Sequence, residues 1–420
     1  MGLAAAWHLL KQGHQVSLFE AGDRLGGMSA SFDFDGLPIE RFFHFLCTTD
    51  YDYFQLLEEL GIADKLHWVN TRMGVFHQQK LHNWGEPLAL LKFPGLSLLE
   101  KIRYATQVMY CKHLKDFSSL DKKTATTWLK NMLGERAYKI LWEPLLSLKF
   151  YQFKEEVSAA WIAARVQRVA HSRQSLFKEK LGYLEGGSDV FLLAIEEAIR
   201  KRGGHIYVGT PIDKIQVEDG RIAGLVVKGE TQIFDAVIST IPLPYVARIV
   251  PDLPQEDLQK LAAIRNVGVV TVKLKLKQSL TPYFWLNITD TQYGIPGIIE
   301  YTNLNPLPDT VVYIPYYMPQ DHVKYSWDSE QFRSETIRCL RDVNPNFDES
   351  WIKALHISRY FYAQPVCTPA YLSTLPPMQS PIGGFFMADT SYYYPQDRSI
   401  TDSIRVGKQL ADLAAHAADA

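Results

Sequence analysis

Cysteine is scarce in this 420-residue chain, and the four present, Cys47, Cys111, Cys339 and Cys367, stand far apart. No C-x-x-C pair brings two of them together, so neither a disulfide framework nor a zinc site is expected. No secretory leader is read either, and the expectation is a reducing cytoplasm. Net charge is just as scarce: 44 Lys and Arg against 46 Asp and Glu leave −2, so no global field recruits nucleic acid. No apolar run reaches the roughly 18 residues that a spanning helix needs. That excludes a transmembrane helix and leaves peripheral membrane contact open. Internal repeats, low-complexity segments, a Walker loop, a metal-ligand spacing and a Ser-His-Asp order are also missing. Aromatic residues, by contrast, make up 12 % and include nine tryptophans. They suit a large core or a cleft for a flat, apolar ligand. A chain of this length predicts two or three domains, or one discontinuous pair.

The stretch GLAAAWHLLKQGHQVSLFE at residues 2–20 is the most informative. Apolar positions from Leu3 to Leu10 predict a helix packed on a sheet, with Gly13 ending it. HQVSLFE predicts a short buried strand that ends on Glu20. Helix, glycine stop, strand and terminal acid form the second half of a βαβ unit, and Glu20 falls 18 residues after Gly2. In a dinucleotide fold an acid near that distance takes the ribose hydroxyls. AGDRLGG then reads as a loop, DFDG at 33–36 as a hairpin turn, and YDYFQLLEELGIADKL as a helix closed by Gly61. Residues from about 95 to 180 read as mostly helical. LGYLEGG reads as a loop before one helix and several short strands. No strand-forming run is read before it, so a second Gly-rich βαβ unit for a nicotinamide is not expected. NVGVVTVKLKLKQSL predicts a long antiparallel strand with one wet face carrying Lys273, Lys275 and Lys277. The tail reads as strand, loop and final helix.

Two of these stretches carry a resemblance. GLAAAWHLLKQGHQVSLFEAGDRLGG and, far downstream, GGFFMADTSYYYPQDRSITDSIRVGKQLA resemble the flavin-containing amine oxidase superfamily. That group includes monoamine oxidases, protoporphyrinogen oxidases, carotenoid desaturases and, more distantly, UDP-galactopyranose mutases. WEPLLSLKFYQFKEEVSAAWIAARV, GYLEGGSDVFLLAIEEAI and FDAVISTIPLP fit the same pattern. The resemblance implies an α/β fold with a discontinuous Rossmann-like FAD-binding domain built from residues 1–75, 183–255 and 375–420. Residues 76–182 and 256–374 would form a mixed α+β substrate domain, a helical part plus long antiparallel strands. In that family a strand and a G-x-G-x-x-G turn come first, and Gly2 matches the third glycine. The first strand and the two phosphate-facing glycines are absent before it. The expectation is a start assigned too late, and a chain that as written holds little flavin. A genuinely shortened, inactive protein is the alternative.

The same resemblance implies the cofactor residues. Glu20 matches the ribose acid, with Ala21 beside it, and Arg24, Gly26 and Gly27 match the R-x-G-G loop that lets backbone approach the flavin. Met28 and Ser29 follow where that loop passes the cofactor, and Ile212 stands where the family holds adenine by backbone bonds. Asp389 matches the C-terminal acid near the pyrophosphate and ribityl chain, although Ala388 precedes it where glycine is usual. Ser403 and Ile404 belong to a helix start whose amides stabilise negative charge on the flavin ring. Asp402 stands there where many members have glycine. For catalysis the reading offers only wall residues, Tyr392, Tyr393, Tyr394, Trp285 and Tyr362, together with His44 and Lys149. The implied activity is FAD-dependent oxidation or desaturation of a small, partly apolar organic molecule, with hydride passing to flavin N5. One rival is a sugar-nucleotide mutase using Arg165, Arg168 and Arg173 for a diphosphate. Another is an inactive scaffold. The oligomeric state is left open.

Overall fold

The computed structural model describes residues 1–175 and 178–418. Runs rich in β-branched and aromatic residues build three long strands, Asn266–Leu276, Thr310–Pro319 and Ile352–Pro365. Asn266–Leu276 lies between the other two and pairs antiparallel with both. The sheet continues through Gly297–Glu300, Trp285–Ile288 and Met73–His77 to Lys80–Trp84, seven strands in all. The domain boundary expected at residue 75 therefore cuts inside a strand of this sheet.

The central strand is buried along its whole length, which corrects the expectation of a wet face. Lys273 is fully buried; its amine nitrogen donates to Arg41 O at 3.1 Å and to Ser358 Oγ. Lys275 donates to Asp35 O at 2.7 Å and lies 3.6 Å from Asp309. The hairpin of Ser31–Asp33 and Pro38–Glu40 covers this face, so the lysine stems pack as apolar groups while their heads satisfy its carbonyls. Lys277, one residue past the strand, is exposed as expected.

Two parallel strand pairs stand apart from the large sheet. Ser17–Phe19 pairs with His205–Tyr207, and Val237–Ser239 with Phe385–Met387. Among the described residues they remain two pairs and not one continuous sheet. Helix Gly2–Lys11 packs against helix Ile400–Ala418. Their crossing is tight because of Gly407, where a Cβ would come within 2.6 Å of Met1 O and 3.1 Å of the Ala4 Cβ. A third layer is helical, from Leu98–His113, opened by a Ser97/Glu100 capping box, to Ala159–His171, whose Trp161 and Ile162 sit in the core.

Lys178–Leu184 is a strand where the sequence reading expected a loop, and it runs through Gly186 and Gly187 into helix Ser188–Lys201. It pairs antiparallel with Leu66–Thr71, so this strand–glycine–helix unit is no second dinucleotide fold. The turn at 33–36 forms as read, with Gly36 N donating to Asp33 Oδ1 at 2.8 Å. Helix Tyr51–Glu59 is closed by Gly61 at φ 70°. No helix among the described residues is long and apolar enough to cross a membrane.

Candidate active site

A cavity of about 840 Å³ runs from the ends of the parallel strands, between the large sheet and the helical layer. That is within the range of small-molecule sites. One end gathers loops from distant parts of the chain: Gly26, Met28 and Ser29; Thr240 and Pro242; Asp389, Thr390 and Tyr393; and Asp397 to Ile400 with Ser403.

Whether these loops fit a dinucleotide is tested by the space they leave. Gly26 has φ 103°, and a Cβ there would stand 2.4 Å from Leu192 Cδ1, so only glycine lets the loop close on helix Ser188–Lys201. At Gly27 a Cβ meets nothing within 4 Å, which leaves the backbone bare on its open side. Arg24 steadies the loop rather than reaching out: it donates to Ser31 O at 2.7 Å and lies 3.6 Å from Asp189. Glu20 accepts from Gly22 N at 2.7 Å through Oε1, leaving Oε2 for a ligand. Ala21 lies exposed in the turn between Glu20 and Gly22. The segment leading to Ile212 is fastened alongside it, with Gly209 N donating to Gly22 O and Thr210 N to Glu20 O, both at 2.8 Å. Ile212 itself packs on the core and does not line the cavity. Gly2 sits against Thr240, whose Oγ1 is 3.0 Å from where its Cβ would be.

Asp389 is buried and accepts from Leu243 N at 2.9 Å and Ser391 N at 2.8 Å, tying two of the loops together. Burial pushes its carboxyl above the usual range against these amide bonds. Tyr360, on the cavity wall, is pushed up to about 12 by burial, with Asp389 and then Glu20 among the nearby charges. Helix Ile400–Ala418 begins at the wall, where Ser399 Oγ accepts from Asp402 N at 3.0 Å. The Asp402 carboxylate is turned to Ser399 and to Arg405 at 2.8 Å, so it occupies its own helix start and leaves the cavity clear. Ser403 lines the cavity and meets the Tyr393 hydroxyl at 2.6 Å, whereas Ile404 packs into the neighbouring core.

The far part of the cavity is apolar, with Val75, Leu90, Val108, Leu145, Val166 and Ile288 on its walls. Among its acids Glu179 accepts from Thr71 Oγ1 at 3.2 Å, Glu86 lies exposed at the mouth, and Asp50 and Asp397 are paired with arginines. Asp50 accepts from Arg168 at 3.0 Å and from Cys47 N at 2.8 Å. Asp397 pairs with Arg165, while Lys149 lies over the rings of Trp161 at 4.8 Å and Tyr317 at 4.9 Å. Burial opposes ionisation of Asp397, but Lys149, Arg165 and Arg398 outweigh it and hold the carboxyl well below the ordinary range. Arg398 is pinned in turn by Gln364 Oε1 at 3.0 Å and by Ala363 O. Arg165 and Arg168 thus arrive already neutralised, which argues against their holding a diphosphate.

His44, Tyr393, Trp285 and Tyr362 line the cavity. Tyr392 donates to Pro376 O at 2.6 Å and Tyr394 is turned to Ser158 at 2.6 Å, and neither lines it. His44 Nδ1 lies 2.7 Å from Glu40, which also accepts from Ser188 N at 3.0 Å. Sequence reasoning missed Glu40, Thr240, Asp397 and Arg398. Of these, only the i, i+4 spacing of Glu40 and His44 was a local signal.

Glycine-bound loops and a strand-end acid, next to a deep apolar chamber, make an arrangement that suits a dinucleotide cofactor. The chain belongs to the flavin-containing amine oxidoreductase family, whose pattern matches residues 2–412. It is 27 % identical over 311 residues to the zeta-carotene desaturase of Synechocystis sp., covering 65 % of this chain and 63 % of that protein. A zeta-carotene desaturase of Solanum lycopersicum is 25 % identical, and the chain spans 52 % of its length. Among solved structures, an oxidoreductase from Methanosarcina mazei has a TM-score of 0.72 at 20 % identity, covering 92 % of each chain. Cyclohexylamine oxidase from Brevibacterium oxydans has 0.68 at 15 % identity, covering 99 % of this chain and 96 % of that one. At these identities the structures speak for the fold alone. FAD is the cofactor that family membership implies, and the glycine cradle, Glu20 and Asp389 fit it.

Proposed function

We propose that the protein is an FAD-dependent dehydrogenase of an extended apolar organic substrate. The observation that carries this reading is the chamber, aliphatic and aromatic beyond the cofactor loops, with Asp50 and Asp397 already paired to Arg168 and Arg165. An alkylammonium would find no free carboxylate at those two positions, whereas a hydrocarbon loses nothing by leaving water there. The sequence reading expected a small, partly apolar ligand, and the run of aliphatic residues from Val75 and Ile288 out to Leu98 and Ile102 at the rim supports a more extended one. Relatives named zeta-carotene and phytoene desaturases agree with this class.

Bound FAD supplies a two-electron acceptor that takes hydride from a C–H bond at N5. The chain supplies position, dryness and a place for the proton released from the neighbouring carbon. Val75, Val166 and Ile288 hold the substrate by shape. Trp285, edge-on to Phe43 at 5.5 Å and to Phe45 at 6.3 Å, closes the wall against water. His44 is the proton acceptor: Glu40 fixes Nδ1, leaving Nε2 as the nitrogen for the substrate. The test is anaerobic flavin bleaching by a linear isoprenoid polyene, a porphyrinogen and a primary amine. Bleaching by the polyene, slowed about a hundredfold in His44→Gln with FAD retained, is expected. Fast bleaching by the amine with none by the polyene overturns the reading.

A further inference from the structure

The cavity opens among side chains that a water-facing surface rarely gathers. Helix Leu98–His113 places Leu98, Ile102, Ala105 and Met109 at i, i+4, i+7 and i+11, and all four line the cavity. Leu98 is also 66 % exposed and Ile102 55 %, so they form the rim rather than the interior. Across the mouth, helix Pro87–Lys92 brings Leu91 into the lining at 57 % exposure, with Leu88 beside it at 55 %. Leu99, at 63 %, continues the patch outward. Six large aliphatic side chains on two adjacent helices exceed the scattered exposure of an ordinary surface.

The charges around this patch are mostly basic, with the exposed Glu86 ahead of the shorter helix as an exception. Helix Leu98–His113 carries Lys101, Arg103 and Lys112 against a single acid, Glu100. That acid is already taken by Arg136 and by the Ser97 backbone of its own capping box. Lys92 ends the shorter helix, and Lys115 follows the longer one. Lys101 and Lys112 stand on the cavity rim itself; Lys101 donates to Leu91 O at 2.6 Å, tying the two helices together, and Lys112 lies among the rim residues. An apolar ridge with a basic border on helices that do not span a bilayer is the arrangement that lies in a lipid interface.

From this geometry we infer that the rim built by Pro87–Lys92 and Leu98–His113 docks on an anionic phospholipid bilayer and admits the substrate directly from the acyl chains. The leucines enter the headgroup–acyl boundary, and the lysines and Arg103 meet lipid phosphates. The mouth and the docking surface share Leu91, Leu98, Ile102 and Met109, so a docked protein opens its chamber to hydrocarbon. Admission of substrate rests on the reading of the chamber as the substrate site; docking does not.

The test therefore uses vesicles without substrate. The full chain is mixed with vesicles of phosphatidylglycerol and phosphatidylcholine, or of phosphatidylcholine alone, and bound protein is separated by flotation. Binding to the anionic vesicles is expected, several-fold weaker on phosphatidylcholine alone and weakened again by raising salt from about 0.1 to 0.5 M. Leu88→Glu/Leu99→Glu changes two exposed residues outside the cavity lining and should lower the partition constant at least tenfold, with an unchanged melting temperature. Protein that stays unbound on both vesicle types overturns the proposal. So does a concentration-dependent dimer that the double variant dissociates while vesicle binding is unaffected, which would assign the patch to a second copy of the chain. Vesicle binding without polyene-driven bleaching would keep the docking surface and defeat the substrate reading alone.

Discussion

Replacing Arg168 with methionine should be one of the most damaging single changes in the chamber. Asp50 and Arg168 are nearly closed to solvent, with side-chain exposures of 3 % and 15 %, and 3.0 Å separates their atoms. At that distance, and at an effective dielectric of about 20, the attraction is about 5 kcal/mol. Burial pushes the Asp50 carboxyl above its usual range, with Arg168 as the main opposing influence. Without Arg168 the carboxylate keeps the Cys47 amide at 2.8 Å as its hydrogen-bond donor. Removing one member of a buried pair costs about 3–5 kcal/mol, because the other is left charged in a dry site. Urea unfolding of Arg168→Met should show a loss of that size. Asp50→Asn/Arg168→Met should recover most of it, since asparagine still accepts from Cys47 and carries no charge. The exposed pair Arg265–Glu156, with side-chain exposures of 41 % and 44 %, gives the control: Arg265→Met should cost less than about 1 kcal/mol. A single variant within about 1 kcal/mol of wild type, or a double variant no better than the single, refutes the reasoning.

Burial lowers Lys273 to about 7, so between there and its unfolded value of 10.5 the unfolded chain binds the extra proton and stability rises with pH. Urea midpoints from pH 7 to about 8.5 should therefore climb less steeply in Lys273→Met, by about 1.4 kcal/mol per pH unit, and equal slopes would show the amine charged when folded. Gly26→Ala meets Leu192 at 2.4 Å as well as the strain of φ 103°, whereas Gly27→Ala meets only the strain of φ 56°. Gly26→Ala should lose more FAD affinity than Gly27→Ala by at least about tenfold, and Gly26→Ala/Leu192→Ala should narrow the gap. No recovery in that double variant would remove Leu192 from the explanation. Glu20→Ala should weaken FAD by about 2–3 kcal/mol, thirty- to hundredfold, against no change for the exposed Glu58→Ala. Equal affinities by apoprotein titration would reduce Glu20 to a strand-end residue.

The parts of the site legible in the sequence are those where chemistry is written in backbone geometry. Gly26 is placed by its match to an R-x-G-G loop and has φ 103°, and Glu20 follows strand Ser17–Phe19 as its spacing suggests. Lys178–Leu184 was hidden because its K-E-K-L-G-Y-L pattern carries too few β-branched residues to separate it from a loop, and pairing with Leu66–Thr71 decides the matter. Lys273 misled for the opposite reason: the alternation was real, but a hairpin nearly 240 residues upstream covers the face that alternation assigns to water. Asp397 and Arg165 are separated by 232 positions, so no window of sequence contains the pair. Local pattern reports local constraint, and the chamber is assembled from long-range ones.

The packing of helix Gly2–Lys11 against helix Ile400–Ala418 has a consequence for biosynthesis. Helix Gly2–Lys11 is made well before helix Ile400–Ala418, and the partner that buries its Ala4 and Ala5 follows nearly 400 residues later. At about 5–20 residues per second, this interval is roughly 20–80 s, during which the nascent segment has no native neighbour on that side. The loops at Gly26 and at Asp389 wait equally long for each other. The large antiparallel sheet can form earlier, since its last strand closes at Pro365, ahead of the C-terminal helix. The order of synthesis therefore builds the walls of the chamber before the cofactor seat, and makes cofactor capture a closing event in the life of the new chain.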